Sequence, residues 1–342
     1  MYKINLLYIN IFFDRDATSN IAIINVMIYY SLNGKHINNG IKQLQNRRLI
    51  MNSMYDSYTL SNGMQIPCMG FGTYNAKDGD NYEIIKTAIK AGYRYFDTAS
   101  FYFTENDLGR AIKDSGIDRK EFFIVSKAWI NQMGYDNVKK ALRKTLNNLD
   151  MDYLDLYLIH WPKVNEDDDK WKERQKETWQ AMEEMCDEGL IRGIGLSNFL
   201  PHHLDNILSF ARIKPLVDQL EFHPGYTQEA AVSYCRENDV RVQAWSPLGR
   251  AVLLDNAIIK NMAAKYNVSP SQICLRYCVQ REIIPLVKTS TMERMLQNKD
   301  IFGFEISKED MHIIDCMPQA GWSGEHPDFA IPKVNADKLL CD

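Results

Sequence analysis

From Met64 onward the apolar positions change period in a regular beat. Short runs rich in β-branched and aromatic residues occupy 65–73, 93–98, 122–128, 154–161, 193–197, 216–221, 240–245 and 283–287. Between them, for example at 82–91, 105–115, 137–149, 171–188, 201–210, 227–238 and 269–280, apolar residues recur at three- and four-residue spacing. The first pattern predicts strands and the second predicts amphipathic helices. Asn137 and Ser269 stand where N-caps belong, and Gly92 and Gly189 where helices stop. The run 154–159 is apolar without alternation, as a strand buried on both faces requires, and this favours a parallel sheet. Eight such runs and about eight helices in roughly 290 residues predict an α/β fold, a single-domain (β/α)8 TIM barrel. A doubly wound dinucleotide-binding sheet would need G-x-G-x-x-G after its first strand. Gly70-x-Gly72 and Gly193-x-Gly195 come nearest, and both lack the third glycine.

The first fifty residues do not share the beat. They hold ten Ile and eight Asn with only two acidic residues, Asp14 and Asp16, and no steady period. Lys3 followed by the apolar run 4–13 permits a secretory signal, but Asp14-Arg15-Asp16 follow at once and no small-x-small cleavage site is evident. A regulatory extension is a second reading. The third, preferred here, is a leader upstream of a start at Met51 or Met54, which divides the chain into an atypical segment 1–53 and a barrel domain 54–342.

Composition narrows the function classes. The 342 residues carry 40 Lys+Arg against 44 Asp+Glu, a net charge of −4, whereas a protein that neutralises many phosphates carries a basic excess. Nucleic acid is therefore not an expected partner. No apolar run reaches the ~20 residues that span a bilayer, so no membrane association is expected. Seven Cys, an odd number without a C-x-x-C pair, argue against a disulfide framework or a zinc site and suit a reducing, cytoplasmic setting. No metal is implied.

In a parallel barrel the C-terminal ends of the strands face the active site. Those ends here read Asp97, Lys127, His160, Ser197-Asn198, Gln219, Trp245-Ser246 and Lys288, with Tyr102 in the loop after Asp97. A single Asp or His at such a place is commonly a cap or a hydrogen-bonded core residue. Four titratable groups on one rim point to chemistry. A tyrosine of pKa about 10 is a poor general acid at neutral pH. A neighbouring lysine ammonium is expected to lower that pKa, a carboxylate to hold the lysine charged, and a histidine to orient a polarised oxygen. Such a set can protonate a carbonyl oxygen but contains no hydride source, which implies a nicotinamide cofactor.

The motifs F-D-T-A-S-F-Y (96–102) with Glu105 and Gly109, S-K-A-W (126–129), L-I-H-W-P (158–162), I-R-G-I-G-L-S-N-F (191–199), Q-L-E-F-H-P (219–224), A-W-S-P-L-G (244–249) and K-T-S-T-M-E-R (288–294) together resemble the aldo-keto reductase family. The likeness runs from about 64 to 332. It is most similar to the bacterial 2,5-diketo-D-gluconate reductase branch, in its W-S-P-L-G-R form and the short segment after His160.

The resemblance implies Tyr102 as general acid, Lys127 and Asp97 as the pair that tunes it, and His160 as the substrate-orienting residue. It implies Ser197, Asn198 and Gln219 on the nicotinamide carboxamide, Trp245 stacked on the ring, and Ser246 and Leu248 at the pyrophosphate. Gly72, Thr73, Asp97 and Thr98 also join the implied cofactor contacts. Lys288, Thr289 and Arg294 match the cluster around the adenosine 2′-phosphate and Asn298 a contact to adenine, so NADPH is the implied cofactor. Tyr74, Phe101, Trp129 and Trp161, with His160, are expected to line an aromatic pocket for a small-molecule carbonyl substrate. Small aldehydes, dicarbonyls and keto sugars all remain open, and the run 166–169 reads as a solvated loop face. The segment 318–332 resembles the loop bordering the substrate pocket.

Four positions depart from the family pattern: Thr104 for Asn, Gln297 for Glu, Arg250 for a small residue and Tyr74 for Trp. Arg250 either reaches the pyrophosphate or is solvated. The expected activity is reduction of aldehydes and ketones to alcohols by a monomer. The alternative is a cofactor-bound regulatory or structural module, as in potassium-channel β subunits, which loss of a catalytic residue would favour; all four are present.

Overall fold

The computed structural model describes residues 51–74 and 80–330. The readings made of the N-terminal segment fall on 1–50, outside the described residues. Met51 and Met54 are both buried in the core.

The run 65–73 proves to be two strands. β1 (Ser57–Thr59) and β2 (Gln65–Pro67) form an antiparallel hairpin, and β3 (Gly70–Gly72) opens the barrel. The elements then alternate: α1 (Asn81–Lys90), β4 (Tyr95–Asp97), α2 (Glu105–Asp114), β5 (Phe123–Ala128), α3 (Tyr135–Leu149) and β6 (Leu156–Ile159). There follow α4 (Trp171–Asp187), β7 (Ile194–Ser197), α5 (Pro201–Leu208), β8 (Val217–Glu221), α6 (Glu229–Glu237) and β9 (Arg241–Trp245). The chain continues through α7 (Ala257–Tyr266), α8 (Pro270–Gln280), β10 (Ile284–Val287), α9 (Met292–Lys299) and α10 (Lys308–Asp315). Strands β3 to β10 close into one parallel barrel, β10 pairing with both β3 and β9. The expected (β/α)8 fold is observed.

Local chemistry explains the boundaries. Ser269 caps α8 through a reciprocal box: Gln272 N donates to Ser269 Oγ at 3.3 Å and Ser269 N to Gln272 Oε1 at 2.9 Å. Such a cap contributes about 1 kcal/mol. Asn137 is not a cap. α3 starts two residues earlier, behind Gly134 at φ +103°, and Asn137 Nδ2 reaches back to Met133 O instead. Gly109 has a packing reason: a Cβ there would lie 2.2 Å from Leu149 O, so α2 and α3 meet backbone to backbone.

Every residue of β5 is buried, with side chains alternating between two layers. Ser126 faces outward and donates to Glu105 Oε1 on α2 at 2.8 Å, while Lys127 faces the barrel axis. The hairpin lies against the N-terminal ends of the barrel strands. Arg241, the first residue of β9, sits over the buried Tyr58 ring at 4.5 Å, and a Cβ on Gly193 would meet Met64.

Candidate active site

Register places the polar strand ends at one height. Asp97 on β4 is opposite Gly72 on β3 and Val125 on β5, Lys127 is opposite Leu158, and Ser197 is opposite Gln219. Lys127 Nζ donates to Asp97 Oδ1 at 2.6 Å and to Thr98 O at 3.0 Å, and lies 3.4 Å from Tyr102 Oη. Lys127 has no exposed surface and Asp97 only 3%. A buried ammonium is tolerated only because the carboxylate and carbonyl meet it. Burial pulls the Lys127 pKa down, and the Asp97 charge and hydrogen bond pull it back up.

The tyrosine differs from expectation. Its pKa stands well above the ordinary value because burial disfavours the phenolate, with the charges of Asp97, Tyr74 and Glu325 adding to the rise. The net direction is set by burial, and Lys127, 3.4 Å from Tyr102 Oη, is the cation placed to oppose it. The phenol is therefore protonated at neutral pH. His160 is buried and held well below the usual histidine pKa by desolvation and by the Lys127 charge. It is neutral, and its Nδ1 is buried without a hydrogen-bond partner. The His160 ring lies edge-on to Tyr102 (centroids 5.6 Å apart) and to Trp129 (4.8 Å).

Aromatic rings lead outward from this group. Trp129 stacks on Phe101 at 4.1 Å, and Phe101 on Tyr74 at 6.3 Å; Tyr74 also touches Tyr102. Trp161 packs with Trp129 in a small separate cluster. Gln132 Oε1 ties the loops together, accepting from Trp129 N and Ser100 Oγ, both at 2.8 Å. Thr104, Thr73 and Thr98 join in a hydroxyl cluster with Oγ1 separations of 2.9 and 3.0 Å, so the departure at Thr104 is absorbed by its neighbours.

A second polar group lies on β7 to β9. Ser197 Oγ donates to Gln219 O at 2.9 Å. Gln219 Nε2 donates to Asp97 Oδ2 at 2.8 Å and to Gln243 Oε1 at 3.0 Å. Asn198 Nδ2 donates to His160 O at 2.9 Å and Ser197 Oγ at 3.1 Å, and Asn198 Oδ1 accepts from Trp245 Nε1 at 2.8 Å. Asn198 and Ser246 both adopt left-handed backbone, at φ +64° and +50°. Gln243 was not among the residues singled out in the sequence. It is buried inside the barrel, where only its partners distinguish it from a core residue.

The C-terminal segment crosses this end of the barrel. Ser323 donates to Glu221 through N (2.9 Å) and Oγ (2.7 Å), and Glu325 pairs with Arg250 at 2.8 Å. Arg250 is half-exposed; it pairs with Glu325 and lies over the Trp245 ring at 5.9 Å, on left-handed backbone at φ +50°. Asp328 Oδ1 lies 3.3 Å from His202 Nε2 and 3.0 Å from His203 Nε2 at the start of α5. His203 Nδ1 accepts from Leu200 N, so its proton sits on Nε2, facing the carboxylate. Trp161, Asn198, Tyr226, Trp245, Glu325 and Pro327 line the cleft beneath. The run 166–169 is not wholly a solvated face: Asp168 is buried and ion-paired with Arg174 at 2.9 Å.

A third group gathers beyond β10. A Cβ on Gly72 would lie 3.9 Å from Lys288 Cβ, which brings the β3 end beside Lys288. Thr289 Oγ1 is buried without a partner. Arg294 donates to Ser290 Oγ and Thr291 Oγ1 at the N-terminus of α9, and Asn298 is buried on the same helix. Leu248 is half-buried against the core. These residues suit a dinucleotide phosphate. Cations and a helix N-terminus attract it, and the unpartnered Thr289 hydroxyl needs a partner.

A parallel barrel whose C-terminal face sets a protonated phenol beside a buried lysine–carboxylate pair defines an oxidoreductase acting on carbonyl groups. The sequence profile described as the Aldo/keto reductase family matches residues 68–317. A glyoxal reductase of Bacillus subtilis is 42% identical over 277 residues, covering 81% of this chain and 98% of that protein. An uncharacterized oxidoreductase of the same organism, YtbE, is 39% identical over 79% of this chain and 95% of its own length. A Bombyx mori aldo-keto reductase solved in complex with NADP is 31% identical, with a TM-score of 0.73 over 81% of this chain and 99% of that one. The chain belongs to the aldo/keto reductase family. It is an NADPH-dependent reductase of aldehydes and ketones.

Proposed function

We propose that the carbonyl substrate binds with its oxygen between Tyr102 and His160, and that Tyr102 is the general acid. The observation that carries this reading is the contact of Lys127 with Tyr102 at 3.4 Å, behind a Lys127–Asp97 bond of 2.6 Å and beside the His160 ring, whose Nδ1 has no hydrogen-bond partner. Tyr102, protonated at rest, gives its proton to the carbonyl oxygen. Lys127 stabilises the phenolate left behind, and Asp97 keeps Lys127 charged. Neutral His160 orients the carbonyl without competing for the proton. NADPH, when bound, supplies the hydride. Ser197, Asn198, Gln219 and Trp245 are proposed to hold its nicotinamide end, with Gly72, Thr73, Thr98, Ser246 and Leu248 along its path. Lys288, Thr289, Arg294 and Asn298 are proposed to hold the adenosine end.

The substrates proposed are small aldehydes and dicarbonyls, extending to keto sugars as in the 2,5-diketo-D-gluconate reductase branch. Similarity to a glyoxal reductase supports the dicarbonyl class, and the aromatic wall with its covered cleft favours compact molecules. The reductase unit is proposed to be residues 54–342, acting as a cytoplasmic monomer without nucleic-acid or membrane partners. Six described cysteines, all unpaired, are consistent with a reducing compartment. Among the described residues no helix is long and apolar enough to cross a membrane.

The test is loss of NADPH absorbance with the full chain and a panel of glyoxal, methylglyoxal, simple aldehydes and keto sugars, with NADH as control. Turnover is expected with NADPH in preference to NADH, and fastest with dicarbonyls. NADPH binding without turnover of any carbonyl would overturn the acid assignment.

A further inference from the structure

Glu105 belongs to the Tyr102 motif, yet the proton-transfer set makes no use of it. It opens α2 three residues after Tyr102 and is 3% exposed. Its carboxylate bridges two elements: Oε1 accepts from Ser126 Oγ on β5 at 2.8 Å, and Oε2 from Asn148 Nδ2 on α3 at 2.9 Å. Both donors are neutral, and the acceptor-only carboxylate fixes the direction of each bond. The helix N-terminus favours a negative group in this place. Ser126 immediately precedes Lys127 and points to the other side of the strand, so this bond joins the loop of the tyrosine to the strand of the lysine. The near end of the loop is fastened as well. Ser100 Oγ donates to Gln132 Oε1 at 2.8 Å and lies 3.2 Å from Lys127 O. Tyr102 thus rides on a short span from Ser100 to Glu105 with both ends against β5. Within the span Phe103 adopts left-handed backbone at φ +57°. A bulky residue keeps such a conformation only while its surroundings hold it there.

We infer that Glu105 is a positioning residue: by fastening the Tyr102 span to β5 through Ser126, it sets the 3.4 Å contact between Tyr102 and Lys127. The inference rests on Tyr102 as the general acid. Once the fastening is cut, Phe103 leaves its strained conformation and the phenol moves away from the ammonium. Proton transfer slows, while the Lys127–Asp97 pair stays as it is.

The test is a double-mutant cycle on single-turnover rates of glyoxal reduction by the full chain with saturating NADPH. Glu105→Met keeps the length of the side chain without an acceptor. It is expected to slow the parent about tenfold or more, but to slow the Tyr102→Phe background by less than about twofold. Glu105→Gln is expected to recover most of the rate, because the Ser126 hydroxyl can reverse and accept from the new NH2. Ser126→Ala cuts the same bond from the other side. It is expected to slow the parent about threefold or more and to leave the Tyr102→Phe background unchanged, which decides the matter should Glu105→Met fail to fold. Equal slowing of both backgrounds overturns the inference, and so does parent-rate turnover by Glu105→Met. A Glu105→Gln variant as slow as Glu105→Met overturns the hydrogen bond as the cause. Parent-rate turnover by Tyr102→Phe alone would instead overturn the acid assignment.

Discussion

The two walls of the active site handle polarity in opposite ways. On β4 to β6 the chain buries full charges, Asp97 against Lys127, and sets a phenol and a neutral imidazole beside them. On β7 to β9 it buries neutral amides whose hydrogens pass from residue to residue. Behind this wall, on the outer face of β8 toward Cys235, the carboxyl of Asp218 is pushed up to about 8 by burial and is mostly protonated at neutral pH. A proton donor needs a charge nearby to receive the change, whereas a recognition surface needs only correctly turned donors and acceptors. The difference teaches that the charged wall should fail abruptly when altered and the neutral wall gradually.

The sharpest way to break the contrast is Tyr102→Phe. Rates of carbonyl reduction should fall by about 10²- to 10⁴-fold, the usual contribution of a positioned acid, while NADPH affinity measured by fluorescence stays within about twofold. Retained turnover would mean that another group supplies the proton. Asp97→Asn comes next. It strands a buried ammonium, and loss of one partner of a buried pair costs about 3–5 kcal/mol, visible in denaturant unfolding. The sign of its pH effect also follows. Without the carboxylate that raises its pKa, Lys127 gives up its proton more readily, so the alkaline limb of the kcat profile should move to lower pH.

The smallest effect belongs behind the neutral wall, on the outer face of β8. Because the Asp218 pKa is higher folded than unfolded, the folded state holds the extra proton between about pH 4 and pH 8. Its stabilising contribution is complete below that window and declines by about 1.4 kcal/mol per pH unit across it. Asp218→Asn should remove that slope, so thermal midpoints at pH 5 and pH 8 should lie closer together in the variant than in the parent. A parallel pair of midpoints would show that the carboxyl is already ionised.

Much of the fold was legible because each strand is a short apolar run and each helix a separate amphipathic one. The rim residues were legible because strand ends in a parallel barrel share a face. Other features depend on partners distant in the chain. Arg250 looks like a loop cation until Glu325, 75 residues later, is beside it. Gln243 is a polar letter between Val242 and Ala244 on β9, and only Gln219 gives it a purpose. The direction of the Tyr102 pKa is not legible in the sequence, because spacing suggests which charges are near but not how deeply the phenol is buried. The split of 65–73 is not legible in the sequence because a hairpin strand and a barrel strand, two residues apart, share one apolar pattern.

The hairpin beneath the barrel divides the labour of its two ends. Tyr58 and Ile66 are fully buried and Arg241 lies over the Tyr58 ring, so the N-terminal ends of the strands carry packing while their C-terminal ends carry the chemistry. A change in the hairpin should therefore register in stability, and a change at the rim in rate.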